Sequence, residues 1–150
     1  MIREMPSLDT EFSAAPLRVK PEIGELDALI GYVEDFSARH GWVPADTQAF
    51  SLAVEELFAN TVQHSQPAAE SVEFSLTGDG DVATAQYSDD GSPFDPTAQP
   101  EADTTLPLEQ RQIGGLGIHF IRRTMPTFTY RRDGERNIVS FGRALTKLPG

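Results

Sequence analysis

The spacing of hydrophobic positions changes along the chain, and each change marks an element. The opening residues 1–15 are polar, with only Leu8 and Phe12 suggesting strand edges, so a mobile N-terminal segment is expected. Leu17–Val19 is a short apolar run and reads as an edge strand. Ile23, Leu26, Ile30 and Val33 recur at helical spacing with Leu29 and Phe36 alongside. They predict a helix from a first turn at Pro21 to about His40, where Gly41 stops it. Phe50, Ala53, Val54, Leu57 and Phe58 predict a second helix, capped by Asp46 or Thr47 and running to about Ser65, with Pro67 ending it.

The period then falls to two. Val72, Phe74 and Leu76 alternate with Glu73, Ser75 and Thr77, Gly78–Asp81 signals a hairpin, and alternation resumes over Val82–Tyr87. From Asp89 to about Gln112 there is no period, and Pro93, Pro96, Pro100 and Pro107 fall within the stretch. A loop that long inside one domain is usually functional or mobile. Ile118, Ile121 and Met125 predict a third helix after Gly117, limited by Pro126. Phe128–Arg132 and Ile138–Phe141 predict a closing hairpin across Asp133-Gly134. The order βααββαββ predicts an α+β fold: a two-layer α/β sandwich whose mixed, mostly antiparallel sheet carries its helices on one face. Residues 16–145 would form this single domain.

Length agrees with one domain, since 150 residues bury a sizeable core without needing a second. Charge narrows the partners. With 12 Lys and Arg against 23 Asp and Glu, the chain carries −11, which opposes contact with polyphosphate. Direct nucleic-acid binding is therefore not expected. The absence of cysteine excludes disulfides, thiolate metal sites and a Cys nucleophile. No apolar run reaches membrane-spanning length and the N-terminus has no signal-peptide core, so a cytoplasmic protein without membrane contact is expected.

Three segments carry candidate chemistry. Glu56, Asn60 and His64 follow one another at steps of four on the second helix, drifting by roughly 40° per step along the border of its apolar face. Such a stripe either bonds to nearby backbone or aims a carboxylate and an amide into a cleft. In a cleft, Asn offers a neutral oxygen to Mg²⁺ and Glu accepts a proton. Asp89-Asp90-Gly91 follows a strand directly. It is either a plain turn or an acid set to accept from a ligand's exocyclic amine, with Gly91 permitting close approach. Gly114-Gly115-Leu116-Gly117 opens the third helix, where exposed N–H groups and the helix dipole favour phosphate. It is not a dinucleotide fingerprint, because Phe120 occupies the third glycine position, and no Gly-Lys-Ser/Thr follows as in a P-loop.

In this order and spacing the segments resemble the gyrase and histidine-kinase type of ATP-binding fold, the Bergerat fold. Glu56-x-x-x-Asn60 looks like its N box, Asp89-x-Gly91 its G1 box and Gly115-x-Gly117 its G2 box. Within that GHKL superfamily, residues 53–64, Pro93-Phe94-Asp95-Pro96 and residues 114–119 resemble the small anti-sigma-factor serine/threonine kinases. The resemblance implies ATP and Mg²⁺ as cofactors. Asn60 would hold the metal, and Glu56 would act as general base toward a protein serine or threonine hydroxyl, or orient that hydroxyl. Asp89 would take the adenine amine beside Gly91, while Gly115 and Gly117 would meet phosphate with their N–H groups. His64, Pro93, Gly114, Leu116 and Ile118 complete the implied nucleotide site, and residues from about Thr97 to Gln112 would be the ATP lid. Two departures stand out: Ile113 replaces a basic residue found in some relatives, leaving Arg111 as the nearest cation, and Pro126-Thr127 replaces an acidic position.

The implied partners are a phosphorylatable anti-sigma-factor antagonist of the STAS type and a sigma factor held in a competing complex, with the kinase itself a homodimer. The alternative is a catalytically inactive ATP-binding module that regulates by protein binding alone. Glu56 favours the kinase, because a binding module needs no base there. A sensor histidine kinase would also need a phosphoacceptor domain, for which 150 residues leave no room.

Overall fold

In the computed structural model, residues 12–64, 69–98 and 115–147 are described. Strands β3 (Val72–Gly78) and β4 (Val82–Asp89) form the hairpin that the alternation predicts, with Val72 opposite Asp89 and Gly78 opposite Ala83. Its turn is held by Asp79, whose Oδ1 accepts from the backbone N–H groups of Asp81 (2.9 Å) and Val82 (2.8 Å). Gly80 supplies the positive φ of 89°. The closing hairpin is longer than the sequence pattern suggests: β5 covers Thr127–Asp133 and β6 covers Arg136–Ala144, joined through Gly134 at φ 60°. Strand β6 lies between β4 and β5, and β3 lies beyond β4. Every pairing among the described residues is antiparallel.

Two short strands complete the sheet against β3. Strand β2 is Leu17–Val19, as expected, and Phe12–Ser13 adds a second piece, β1, opposite Gly78 and Thr77. Thus pairing reaches into the stretch expected to be mobile, and residues 1–11 lie outside those described. Ala14–Pro16 interrupts this edge and leaves the N–H of Leu76 without a strand partner. Tyr32 fills the gap: its hydroxyl accepts from Leu76 N (3.3 Å) and donates to Ala14 O (3.3 Å).

Helix α1 spans Leu26–His40, preceded by a 3₁₀ turn at Ile23–Glu25 rather than by helix from Pro21. Gly41 ends it in the left-handed conformation, its N–H bonded to Ser37 O. Helix α2 spans Pro44–His64. It starts earlier than the cap at Asp46 or Thr47 implies, because proline has its φ preset for the first helical position. Asp46 is instead fully buried. Its carboxylate accepts from Thr146 N (2.8 Å) and Thr146 Oγ1 (3.1 Å) and meets Arg143 at 3.4 Å, fastening the end of the chain to the start of α2. Helix α3 spans Gly115–Thr124, so the glycines form its first turn instead of preceding it.

Helices and sheet meet in one core. Phe36, Phe50 and Phe58 from the helices and Phe74 and Phe141 from the strands are all fully buried, each contributing roughly 1.5–3 kcal/mol by leaving water. Trp42, in the connection between α1 and α2, packs between Phe36 and Phe50. Ile118, Ile121 and Met125 bring α3 onto the same core. The packing leaves the border of α2, the end of β4 and the start of α3 facing one another. It therefore brings the three candidate segments to one end of the sandwich.

Candidate functional site

A small cleft of about 30 Å³ opens between α2 and the ends of β4 and β6. Leu57, Val139, Phe94 and Pro96 give it apolar walls, and Asn60, Asp89 and Asn137 supply polar groups, the pattern of a small-molecule site. Asp89 sits at its base, 9% exposed, at the last position of β4. Its Oδ1 accepts from Gly91 N (2.9 Å) and Asn137 Nδ2 (3.0 Å), and its Oδ2 accepts from Thr61 Oγ1 (3.1 Å). The turn reading and the ligand reading of Asp89 are thus compatible, because the bond to Gly91 fixes the carboxylate that faces the cleft.

Asn137 was not among the residues the sequence singles out, yet it organises the cleft floor. It stands opposite Asp89 on β6 and is 4% exposed. Its amide nitrogen donates to Asp89 Oδ1 and to Ser92 O (2.8 Å). Its oxygen accepts from Phe94 N (3.2 Å), Tyr130 OH (2.7 Å) and Arg132 Nη1 (3.2 Å). In the sequence Asn137 stands among the polar residues of the turn before Ile138 and Val139, so nothing in the local pattern marks it. Arg132 also donates to Gly91 O (2.8 Å), and Arg122 donates to Thr97 O (2.8 Å). These arginines brace the loop after β4. Asn137→Ala is expected to cost about 2–4 kcal/mol, because it strands several buried partners. Urea denaturation checks this, alongside loss of nucleotide binding.

Glu56 and Asn60 lie half-buried on α2, one turn apart. Asn60 lines the cleft; Glu56 instead packs against α3. A Cβ placed on Gly117 would overlap the Glu56 carboxyl, so only glycine leaves room for that carboxyl. Glu56 Oε1 is buried with no hydrogen-bond partner. Burial pushes the Glu56 carboxyl up to about 7, the charge of Glu55 adds to the rise, and a hydrogen bond with Asn60 opposes it. A carboxyl with one oxygen left unpartnered and this affinity for protons suits proton transfer near neutral pH.

The remaining expected residues divide. His64, at the exposed end of α2, lies flat to Phe94 across the cleft mouth, with ring centres 6.3 Å apart and planes at 18°. Gly91 is buried beside Asp89, whereas Pro93 is exposed and does not line the cleft. Ile118 is 2% exposed and gives its side chain to the core, leaving only its backbone for a ligand. Gly115, Leu116 and Gly117 form the first turn of α3, where N–H groups lack intrahelical partners. Arg111 and Gly114 lie outside the described residues, as does most of the expected lid.

These residues fit ATP. Asp89 is an acceptor for an amine at a cleft with apolar walls, and the Glu56 carboxyl lies against the first turn of α3, with Gly117 leaving it room. For Mg²⁺, no group of three His, Asp or Glu residues gathers among the described residues. The donor set therefore fits only a metal held by the Asn60 oxygen together with phosphate and water.

A model of the histidine kinase-like ATPase domain matches residues 19–143. The chain belongs to this family. No curated protein matches it. Among solved structures, this ATPase domain is similar to the RsbU and RsbW domains of Rv1364c from Mycobacterium tuberculosis, at 15% identity and a TM-score of 0.60. The match covers 90% of this chain and 34% of that one. At that identity the likeness supports the fold, in agreement with the expected α+β sandwich. No helix among the described residues is long and apolar enough to cross a membrane.

Proposed function

We propose that this ATPase domain is a protein serine/threonine kinase of the anti-sigma-factor type. ATP would bind with its adenine amine on Asp89 and its phosphates toward Asn60 and the first turn of α3. The observation that carries the catalytic part is the Glu56 carboxyl, half-buried, with its Oε1 buried and without a hydrogen-bond partner, and given room by Gly117. Glu56 would take the proton of a serine or threonine hydroxyl on a partner protein. That oxygen forms a bond to the γ-phosphorus while the bond to ADP breaks, so phosphoryl passes to the partner and ADP leaves. Mg²⁺ on Asn60 would neutralise phosphate charge. In a chain carrying −11, that charge falls otherwise to the backbone N–H groups of α3.

The likeness to the RsbU and RsbW domains supports a partner-switching role, in which an anti-sigma-factor antagonist of the STAS type is phosphorylated and a sigma factor is held or released. The test is label transfer from ATP and Mg²⁺ to candidate antagonists. Transfer by the wild type, lost at least about a hundredfold in Glu56→Ala and in Asn60→Ala, is expected. Nucleotide binding with no transfer to any antagonist would replace this reading with a regulatory module that acts by binding alone.

A further inference from the structure

Beneath Asp89 lies a second layer of hydroxyl groups. Thr61 is on α2, directly after Asn60, and is 6% exposed; Tyr87 is on β4 and is 2% exposed. Their oxygens are 2.7 Å apart, and Thr61 Oγ1 reaches both Asp89 Oδ2 and Leu57 O at 3.1 Å. Proton counting fixes the directions. The buried Tyr87 hydroxyl has Thr61 as its partner and must donate to it. Thr61 has one proton of its own and two acceptors, a helix carbonyl and a carboxylate. The bond to the charged acceptor is the stronger, so the proton goes to Asp89.

We infer that Thr61 and Tyr87 are positioning residues that set base selectivity through Asp89, by a Tyr87→Thr61→Asp89 chain of donors. The inference rests on reading the cleft as an ATP site. Gly91 N and Asn137 Nδ2 hold one carboxylate oxygen and Thr61 holds the other, so the group cannot rotate. All of these partners donate, which keeps Asp89 an acceptor toward the ligand. An amine at the 6-position of a purine can donate to it. A 6-oxo group cannot, and meets the carboxylate acceptor to acceptor. Among the described residues that line the cleft Asp89 is the one carboxylate, so a misplaced Asp89 has no acidic neighbour to replace it.

Calorimetric titration of the full chain with ATP and with inosine triphosphate, both with Mg²⁺, tests this. Thr61→Val keeps the side-chain shape and removes the donor; it should weaken ATP by at least about tenfold. Inosine triphosphate makes no bond to Asp89, so its affinity should fall less and the selectivity ratio should collapse. Thr61→Ser restores the hydroxyl and should restore the ratio. Tyr87→Phe should have a smaller effect on ATP, and the double variant should match Thr61→Val, because Tyr87 acts only through Thr61. If Thr61→Val does not fold, Tyr87→Phe carries the comparison: it should lower the ratio of ATP to inosine triphosphate affinity, with Thr61→Ser as the control that keeps it. Equal losses for both nucleotides, additive losses, or unchanged ATP binding would overturn the inference. A wild type that binds neither nucleotide overturns it together with the ATP reading, whereas ATP binding without phosphotransfer leaves it intact.

Discussion

Glu56→Gln should make the protein more stable at pH 8 and sharply reduce the proposed phosphotransfer. The unfolded carboxyl titrates near 4.5 and the folded one near 7. Between these values the folded state binds more protons, so stability falls as pH rises through the window. Below pH 4.5 the carboxyl is protonated in both states and incurs no such loss; above about 7 the full penalty applies. Because Glu56 is only half-buried, solvent screening reduces that penalty to roughly 1–2 kcal/mol. Glutamine keeps the shape without the charge. The variant should therefore gain about that much over the wild type at pH 8 and almost nothing at pH 4.5, as read by urea denaturation at the two values. Loss of a general base should reduce phosphotransfer by about 10²–10⁴ at pH 8, where the wild-type carboxyl is ionised, and by less below pH 7, where it is protonated. A stability gap that is the same at both pH values would show that the carboxyl is not proton-hungry in the folded state.

That conflict between stability and use explains which parts of the site are legible in the sequence. Leu29, Val33, Phe36, Phe50 and Phe58 announce two helices because burial selects one face at a fixed spacing. Val72, Phe74 and Leu76 announce a strand for the same reason at period two. Glu56 breaks the first pattern. A carboxyl at the margin of a buried face is a local inconsistency, and such inconsistencies collect where function demands them. Asp89 and Gly117 are visible by a different route, because an acid after a strand and a glycine inside a helix both oppose local propensity.

Asn137 and Thr61 gave no comparable signal. Thr61 sits in a helix, where a hydroxyl bonding back to the carbonyl four residues earlier is routine, and it does make that bond to Leu57. Its second bond, to Asp89, depends on pairing between segments 28 positions apart. Asn137 lies opposite Asp89 only because β6 sits next to β4, a register that the local pattern of either strand leaves open. The element boundaries that shifted have similarly particular causes. Proline at position 44 starts α2 early, and Asp46, freed from capping, holds the C-terminal Thr146.

Gly117→Ala is the substitution that should separate folding from catalysis most sharply. Position 117 has ordinary helical geometry, since the glycines with positive φ are 41, 80 and 134. Alanine is the better helix former there, by up to about 1 kcal/mol. Its methyl group, however, would occupy the space of the Glu56 carboxyl, the far end of a flexible side chain that can swing away. Denaturation midpoints should therefore change little, while phosphotransfer falls by about a hundredfold or more as the base leaves its place. Coupling between the two positions provides the control. In a Glu56→Ala background the obstacle is absent, so Gly117→Ala should then stabilise the protein by its full helix-forming advantage and leave the residual activity unchanged. If Gly117→Ala alone keeps wild-type phosphotransfer, Glu56 is not the base. If it unfolds the protein in both backgrounds, something other than Glu56 requires glycine at the start of α3.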